Sequence, residues 1–493
     1  MPFRKDPVIH RRLSQLLLLA VTASLTYFAG ATEVNLPDLG SPADATLSKN
    51  TEAQIGRSIM HQIRASGQLV EDPQITEYIN DIGHRISAQA NDGAHTFTFF
   101  VIDDPNINAF ALPGGYIGVH TGLLEATRSE DELAGVLAHE VAHVTQRHIA
   151  RAVHASSRQS ILTTAIMLGA VIAGVAAGAS GDAVQGAIAV AQGTAAQQQI
   201  NFTRNNEYEA DRVGISALAE AGFDPQGMAS FFEVISRGGR PPESGGPEFL
   251  RTHPVSSARI AEARGRARDY APVHTSDTVN YGIARSRLIV QRMETAEQAI
   301  RYFERESYEN QSVAERYGRA LAYTRAGRHA EANRIFEELV DNDQEVIAYH
   351  IGLAQSELAL ERTRDAVASF ERAQELFPRN VPLVVHYAEA LLQMGEAKTA
   401  HEILLDLLNN VPPTPEQVRL IARAANKAGD IAEAHYYMSE YRIMIGDLVG
   451  GVNFLRQALR VPDLQEIQRI RFEARIDFLH DYMTEEQLQR SRS

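Results

Sequence analysis

The alternation of apolar and polar positions divides the chain into three parts. At the start, basic residues precede an apolar run from Leu16 to Phe28, and the small-residue triplet Ala29-Gly30-Ala31 follows it. From about 50 to 275 helical and strand patterns mix, whereas from about 282 onward the periodicity is helical only. These patterns predict a signal peptide, an α+β domain and an all-α domain, over 1–31, 32–275 and 276–485 respectively.

The apolar run at the start favours an export signal that is cleaved after Ala31. The run is shorter than the roughly 20 residues that a membrane-spanning helix needs, so an uncleaved membrane anchor is the weaker alternative. The chain contains no cysteine that could carry a lipid. We therefore expect a soluble mature protein in the periplasm of a Gram-negative bacterium.

Two strands are predicted in the α+β domain. The aromatic and β-branched segment from Thr96 to Ile102 is typical of a strand, and so is Tyr116–His120, after a turn over 103–106. Between the two strands, Pro113 confines the segment from Asn108 to Gly115 to a sheet edge or a turn.

The all-α part repeats with a period of 34 residues. Small or apolar residues recur at that spacing, at Ala320, Ala354, Ala388 and Ala422, at Ala332, Ala366, Ala400 and Ala434, and at Phe336, Phe370, Leu404 and Met438. We place Gly327, Gly395 and Gly429 at the turns between paired helices, with Thr363 at the corresponding turn of the second repeat. Residues 284–310 suit a degenerate leading repeat and 446–482 a closing helical cap.

This period and these small residues resemble the tetratricopeptide repeat, in which stacked helix pairs form a solenoid. Such a solenoid presents a concave surface that binds peptides or proteins. The repeats therefore imply a docking function, and the chemistry must be sought in the first domain.

Composition narrows that chemistry. The chain has 493 residues and no cysteine, so a metal can be held only by His, Asp or Glu, and a cysteine nucleophile is excluded. The net charge of −15 argues against a nucleic-acid partner, because binding to phosphates needs a basic face.

The segment His139-Glu140-Val141-Ala142-His143 has the spacing of a metal site on a helix. Two histidines four residues apart lie on one helical face, so both imidazoles can reach one ion while Glu140 lies beside it. Ser129 and Glu132 form a capping-box pattern that predicts where this helix begins.

The third ligand is less clear from spacing. On a continuous helix His148 points about 140° away from His143, and His154 lies about 16 Å further along, so we interpret both as surface or packing residues. A carboxylate is the better candidate. Glu207 and Asp211, four residues apart, allow one to bind the ion while the other accepts the free N–H of a ligating imidazole.

Four segments together resemble the M48 family of zinc metallopeptidases, in its periplasmic, repeat-bearing branch. They are NAFALPGG (108–115), HEVAHVTQRHIAR (139–151), NNEYEADRVG (205–214) and RTHP (251–254). The resemblance implies an α+β zincin-like metallopeptidase domain followed by an all-α tetratricopeptide-repeat solenoid. It also implies one Zn²⁺ per chain on His139, His143 and Glu207, with Asp211 supporting the ligands. Glu140 would then be the general base, and His253 would either fill the open metal position or assist the transition state.

The resemblance implies a zinc-dependent endopeptidase that acts on unfolded or stalled outer-membrane β-barrel proteins. It also implies contact with the barrel-assembly machinery and assistance to assembly through the repeats. The alternative function is a repeat-based chaperone or adaptor whose zinc site is latent or regulatory.

Two further expectations concern substrate access. An extended substrate could pair with a sheet edge near Asn108–His120, in which case Ile117→Pro should weaken cleavage without loss of zinc. The apolar insertion over 159–203 favours a helical hairpin or lid beside the active site, with peripheral contact to a membrane surface as the alternative. An integral-membrane peptidase of the same family is a third reading.

Overall fold

The computed structural model describes residues 46–90, 95–155, 204–238, 247–271, 273 and 278–492. The predicted signal peptide (1–31) and the predicted insertion (159–203) lie outside these ranges. Within them, no helix combines the length and the apolar character that crossing a membrane would require.

The first domain is a small sheet surrounded by helices. Its helices are α1 (Lys49–Ala65), α2 (Pro73–Gln89), α3 (Thr121–Ala126), α4 (Glu130–Thr145), α5 (His148–Ala155), α6 (Arg204–Glu220), α7 (Gln226–Gly238), α8 (Glu248–Thr252) and α9 (Ser257–Ala267). Its strands are β1 (Thr98–Ile102), β2 (Ala109–Leu112) and β3 (Tyr116–His120). The main core joins one face of the sheet to α2, α4 and α7. Met60 of α1 packs on the opposite face.

The sheet has the strand order β1-β3-β2, so β3 is central and β2 is an edge strand. Strand β3 pairs in parallel with β1 and antiparallel with β2. The prediction of an edge near Asn108–His120 is therefore wrong for the β3 half. Ile117 lies fully buried in the central strand, and Ile117→Pro would break the sheet rather than test an edge.

The turn between β2 and β3 explains the proline and the two glycines of this segment. Pro113 follows the last residue of β2 and therefore removes no hydrogen bond from the ladder. Gly114 and Gly115 have φ angles of +81° and +85°, and a Cβ on Gly115 would lie 2.5 Å from the Thr96 carbonyl oxygen. Only glycine fits both demands.

The second domain consists of helix pairs. After α10 (Val279–Arg292), α11 (Ala296–Phe303) and a 3₁₀ turn (Tyr308–Asn310) come four regular pairs and a closing group. The pairs are α12 (Val313–Arg325) with α13 (His329–Asn342), α14 (Ile347–Ala359) with α15 (Thr363–Leu376), α16 (Val381–Met394) with α17 (Ala397–Asn410), and α18 (Pro415–Lys427) with α19 (Ile431–Met444). The closing helices are α20 (Leu448–Leu459), α21 (Glu466–His480) and α22 (Glu485–Arg492).

The predicted 34-residue period is confirmed, because each helix of a regular pair begins 34 residues after its counterpart in the preceding pair. The repeated alanines and aromatic residues are buried, and Met438 is half-buried. The assignment of Thr363 to a turn is wrong, since Thr363 begins α15. Glu361 occupies that turn, with a φ of +61° where the other repeats have glycine.

The repeats lie against the first domain. Helix α2 contacts α10 and α16, and the side chain of Asn380 donates to Glu77 at 2.8 Å. Tyr317 on α12 donates to Gln74 at 3.3 Å. The repeats and the first domain thus share an interface, which α2 forms with α10, α12 and α16.

Candidate metal centre

Helix α4 places His139, Glu140 and His143 in the interior of the first domain. The Ser129 side chain caps its first turn by accepting the Glu132 amide. The Glu132 carboxylate accepts the Arg128 amide at 2.8 Å rather than that of Ser129, so the capping box forms only in part. The exposed fraction of His139, Glu140 and His143 is at most 1%.

Two other elements complete the cluster. Glu207 lies in the first turn of α6, and His253 directly follows α8. Four side chains each offer one ligand atom here, and these four atoms all lie within 4.8 Å of one another: His139, His143, Glu207 and His253. The structure therefore brings together the predicted ligands and the histidine of the RTHP segment, although they span more than a hundred residues.

The spacing within the cluster suits a tetrahedral ion. Zinc–ligand bonds of about 2.0–2.1 Å require ligand atoms roughly 3.3 Å apart. The Nε2 atoms of His139 and His143 are 3.0 Å apart, and each lies 3.5 Å from an oxygen of Glu207. Nδ1 of His253 lies 3.3 Å from both His139 Nε2 and Glu207 Oε1. Three imidazoles and one carboxylate, in a protein without cysteine, form a donor set suited to Zn²⁺.

The Nδ1 atoms of the two histidines on α4 each contact another side chain. Nδ1 of His139 lies 3.0 Å from Oδ1 of Asp211, and Nδ1 of His143 lies 2.9 Å from Nδ1 of His148. Such contacts fix the tautomer and orientation of a ligating imidazole and leave Nε2 available for the ion.

His148 is a packing residue, as one of the two interpretations had it, but the direction expected for it is wrong. It is fully buried, because α4 ends at Thr145 and Arg147 adopts a φ of +52°. The expected angle of about 140° between His143 and His148 assumed a continuous helix. Because the helix ends before His148, the chain changes direction and His148 packs on His143. His154 is exposed and lies 2.7 Å from the Thr46 hydroxyl.

Arg259, on the first turn of α9, is a site residue that the sequence did not predict. Its guanidinium donates to both carboxylate oxygens of Asp211 at 2.7 and 2.8 Å and to Glu207 at 2.9 Å. Nothing in the sequence distinguishes Arg259 from the other arginines of α9, and only the folded chain identifies it.

The charges of the cluster follow from these contacts. Burial opposes ionisation of Glu207, but His253 and His139 hold its pKa well below the usual range. Burial and the neighbouring His139 lower the pKa of His143. Burial also acts on His139, but the carboxylates of Asp211 and Glu207 raise its pKa to about 9. An ionised carboxylate and a neutral His143 are the states in which these groups bind a metal.

Glu140 differs from the other carboxylates because burial raises its pKa. Its Oε1 lies 3.5 Å from Nε2 of His253, and the backbone amide of Ala111 on β2 is close enough to lower its pKa in part. A buried carboxyl with a raised pKa, beside a metal cluster and an edge strand, suits a general base.

Comparison with known proteins gives two family matches within the chain. Residues 73–267 match peptidase family M48, and residues 357–424 match the tetratricopeptide repeat. The first range contains the whole cluster and the second falls in the regular helix pairs.

Individual relatives match almost the whole chain. A Vibrio cholerae protein is 35% identical over 469 residues, which covers 94% of this chain and 96% of the relative. The Beta-barrel assembly-enhancing protease of Escherichia coli strain K12 is 33% identical over 483 residues, which covers 95% of this chain and 97% of the relative. The Mitochondrial metalloendopeptidase OMA1 of Arabidopsis thaliana is 27% identical over 223 residues and covers 45% of this chain and 42% of the relative.

Proposed function

Because this chain belongs to peptidase family M48, we propose that it is an exported zinc endopeptidase in which His139, His143 and Glu207 hold Zn²⁺. The observation that carries the proposal is the buried cluster of three imidazoles and one carboxylate beside Glu140. Asp211 supports it by its contact with His139.

Glu140 is the general base of this proposal. Zn²⁺, when bound, lowers the pKa of a coordinated water toward about 7 and polarises the carbonyl of the scissile bond. The carboxylate of Glu140 then accepts the proton of the attacking water and passes it to the leaving amine nitrogen. Burial favours the first of these steps, because a raised pKa makes the Glu140 carboxylate a stronger base.

His253 controls access to the metal in this arrangement. Its Nδ1 lies at ligand spacing from His139 and Glu207, while its Nε2 faces Glu140. In this position His253 occupies the place where a substrate or water would bind, so it must move before a peptide is cleaved.

Strand β2 is the proposed substrate platform. His120 donates to the Asn108 carbonyl at 3.0 Å, so alternate residues from Asn108 onward bond to β3 while Ala109 and Ala111 face away from it. Ala109 and Ala111 are buried, with 0% and 8% of their surface exposed, and the Ala111 amide lies beside Glu140. An extended peptide can therefore pair with their outward backbone groups only after the groups that cover β2 move aside. Main-chain pairing would give little sequence preference, which suits the degradation of unfolded chains.

The proposed clients are unfolded or stalled outer-membrane β-barrel proteins in the periplasm of a Gram-negative bacterium. The export signal, the repeats and the name of the Escherichia coli relative support this choice. We also propose the predicted domain limits, 32–275 for the peptidase and 276–485 for the repeats, and contact of the repeats with the barrel-assembly machinery.

N-terminal sequencing of exported protein should begin at Thr32, and retention of Met1 would contradict export by cleavage.

The activity is tested with the mature chain, Glu140→Gln and the control Glu262→Gln, at a half-buried position of α9 away from the metal centre. We expect one zinc per chain in all three proteins. Casein degradation should fall about 10²-fold or more in Glu140→Gln only. Equal activity in Glu140→Gln, or no activity in any protein with client binding intact, would favour the adaptor function.

The client class is tested with inactive Glu140→Gln as a trap. Urea-unfolded outer-membrane β-barrel protein should be retained more tightly than an unfolded soluble protein of the same length. Equal retention of the two would contradict the proposed client.

A further inference from the structure

Arg259 is a buried cation for which the proposed chemistry has no direct use. Only 2% of the residue is exposed, and its guanidinium lies 5.0 Å above the ring of Phe232. Its three nitrogens reach three acceptors. Nε and one terminal nitrogen bind the Asp211 carboxylate. The other terminal nitrogen donates to Glu207 at 2.9 Å and to the Pro254 carbonyl at 2.8 Å.

This last nitrogen connects two parts of the metal centre. Glu207 is a proposed ligand on α6, and Pro254 is the residue directly after His253. The segment from His253 to Arg259 is fixed at both ends, since the His253 amide donates to Phe249 at 2.7 Å and the Ser256 hydroxyl accepts the Arg259 amide at 3.2 Å. The position of this segment relative to α6 depends on the arginine that bridges them.

Lysine could not make the same contacts. A guanidinium offers donors at three nitrogens in a rigid plane, whereas an ammonium offers all its donors at one point. The Asp211 carboxylate accepts from Nε and one terminal nitrogen of Arg259, while the Glu207 carboxylate and the Pro254 carbonyl share the other terminal nitrogen. A lysine would retain the positive charge between the two carboxylates but would lose the bridge.

We propose that Arg259 is a positioning residue that holds Glu207, Asp211 and the His253 segment in one register. Both the affinity for the metal and the placement of His253 beside it depend on this residue. The inference rests on the proposed zinc site, and it assigns to Arg259 a role in aligning that site beyond the stability of the fold.

The test compares Arg259→Lys with Arg266→Lys, a control on the same helix whose arginine pairs with Glu262 at 3.0 Å. Zinc affinity is measured by competition with a chelator, and the visible spectrum of the Co²⁺-substituted protein reports the ligand geometry. We expect Arg259→Lys to bind zinc about 10- to 100-fold more weakly, as for other residues that support metal ligands, and to change the Co²⁺ spectrum. Arg266→Lys should match the wild type in both measurements.

Arg259→Lys with wild-type zinc affinity and an unchanged Co²⁺ spectrum would overturn the proposal. A wild-type protein that binds no zinc would instead refute the proposed metal site, so the two failures are distinguishable. In a His253→Ala background, the spectral change caused by Arg259→Lys should become smaller. An undiminished change there would contradict the link to His253.

A second measurement needs no variant, in case Arg259→Lys does not fold. In wild-type protein labelled with ¹⁵N-arginine, the bridge predicts an arginine Nε–H resonance that exchanges slowly with water and shifts when zinc is added. A spectrum in which no arginine Nε–H resonance shifts with zinc would overturn the proposal.

Discussion

The ion pair between Asp72 and Arg287 joins the two domains, and its removal should cost measurable stability. Asp72 precedes α2 and Arg287 lies on α10. The guanidinium donates to the carboxylate at 2.6 Å through its terminal nitrogen and at 3.0 and 3.1 Å through Nε. The side chains are only 6% and 12% exposed, so solvent screens the pair weakly.

The expected magnitude follows from this geometry. Two unit charges about 4 Å apart attract by about 4 kcal/mol at the effective dielectric constant of a protein near its surface. Removing one partner of a buried pair costs about 3–5 kcal/mol. We expect Arg287→Gln to lower the free energy of unfolding by about 3 kcal/mol. Arg292 lies on the same helix as Arg287 and forms a more exposed pair with Glu125 of α3. Arg292→Gln should therefore lower the free energy of unfolding by about 1 kcal/mol or less.

The assay is a double-mutant cycle with Asp72→Asn and Arg287→Gln, followed by urea unfolding and circular dichroism. Asparagine can still accept the Gln74 amide that Asp72 accepts at 3.0 Å. At pH 7 the two substitutions should be coupled by about 2 kcal/mol or more, whereas Asp72→Asn and Arg292→Gln should be additive.

The pH dependence of the coupling has a defined sign. Burial raises the pKa of Asp72, but Arg287 and the hydrogen bonds to the carboxylate outweigh this effect and lower it. Because the pKa of Asp72 is lower in the folded protein, the ion pair stabilises the fold fully above the pKa of the unfolded chain, which is about 4. This stabilisation is lost as the pH falls through the pKa of the folded protein. Additive substitutions at pH 7, or a coupling that persists after Asp72 is protonated, would contradict a stabilising ion pair between Asp72 and Arg287.

Three further predictions concern the first domain. Ala109→Pro removes an amide that faces away from β3, but Ala109 is fully buried, so the variant is compared only if its zinc content and melting temperature match the wild type. Cleavage should then fall severalfold, and unaltered cleavage would contradict the proposed platform. Ser129→Ala removes the cap of α4 and should destabilise the domain by about 1 kcal/mol in urea unfolding, and an unchanged midpoint would contradict this role. Removal of zinc by a chelator should lower the melting temperature, since a metal present at 100 times its dissociation constant contributes about 2.7 kcal/mol. An unchanged melting temperature would argue against a metal that binds only the folded state.

Features that depend on local sequence were predictable. The helix that carries His139 and His143 follows from apolar periodicity and the Ser129 cap, and the repeats follow from their 34-residue period. Both are confirmed as parts of the fold. The exception is the turn of the second pair, since the 34-residue spacing from Gly327 leads to Glu361, which adopts the positive φ, and not to Thr363.

Features that depend on distant contacts were not predictable from spacing. Glu207 and His253 lie 64 and 110 residues after His143. Spacing offered Glu207 and Asp211 as a pair of candidates, and only the resemblance to a family chose Glu207 between them and selected His253. Arg259 had no signal, because a buried arginine looks like a solvated one in sequence. The direction expected for His148 was wrong because the helix ends at Thr145 and Arg147 adopts a positive φ.

The central claim is a zinc ion at the point where His139, His143 and Glu207 converge. It is tested most directly by anomalous diffraction at the zinc edge from crystals of the wild-type protein, with and without a bound peptide. We expect one strong peak about 2.0–2.2 Å from Nε2 of both histidines and from the Glu207 carboxylate, with His253 displaced when peptide is bound. A peak elsewhere, or no peak in protein that degrades casein, would contradict it.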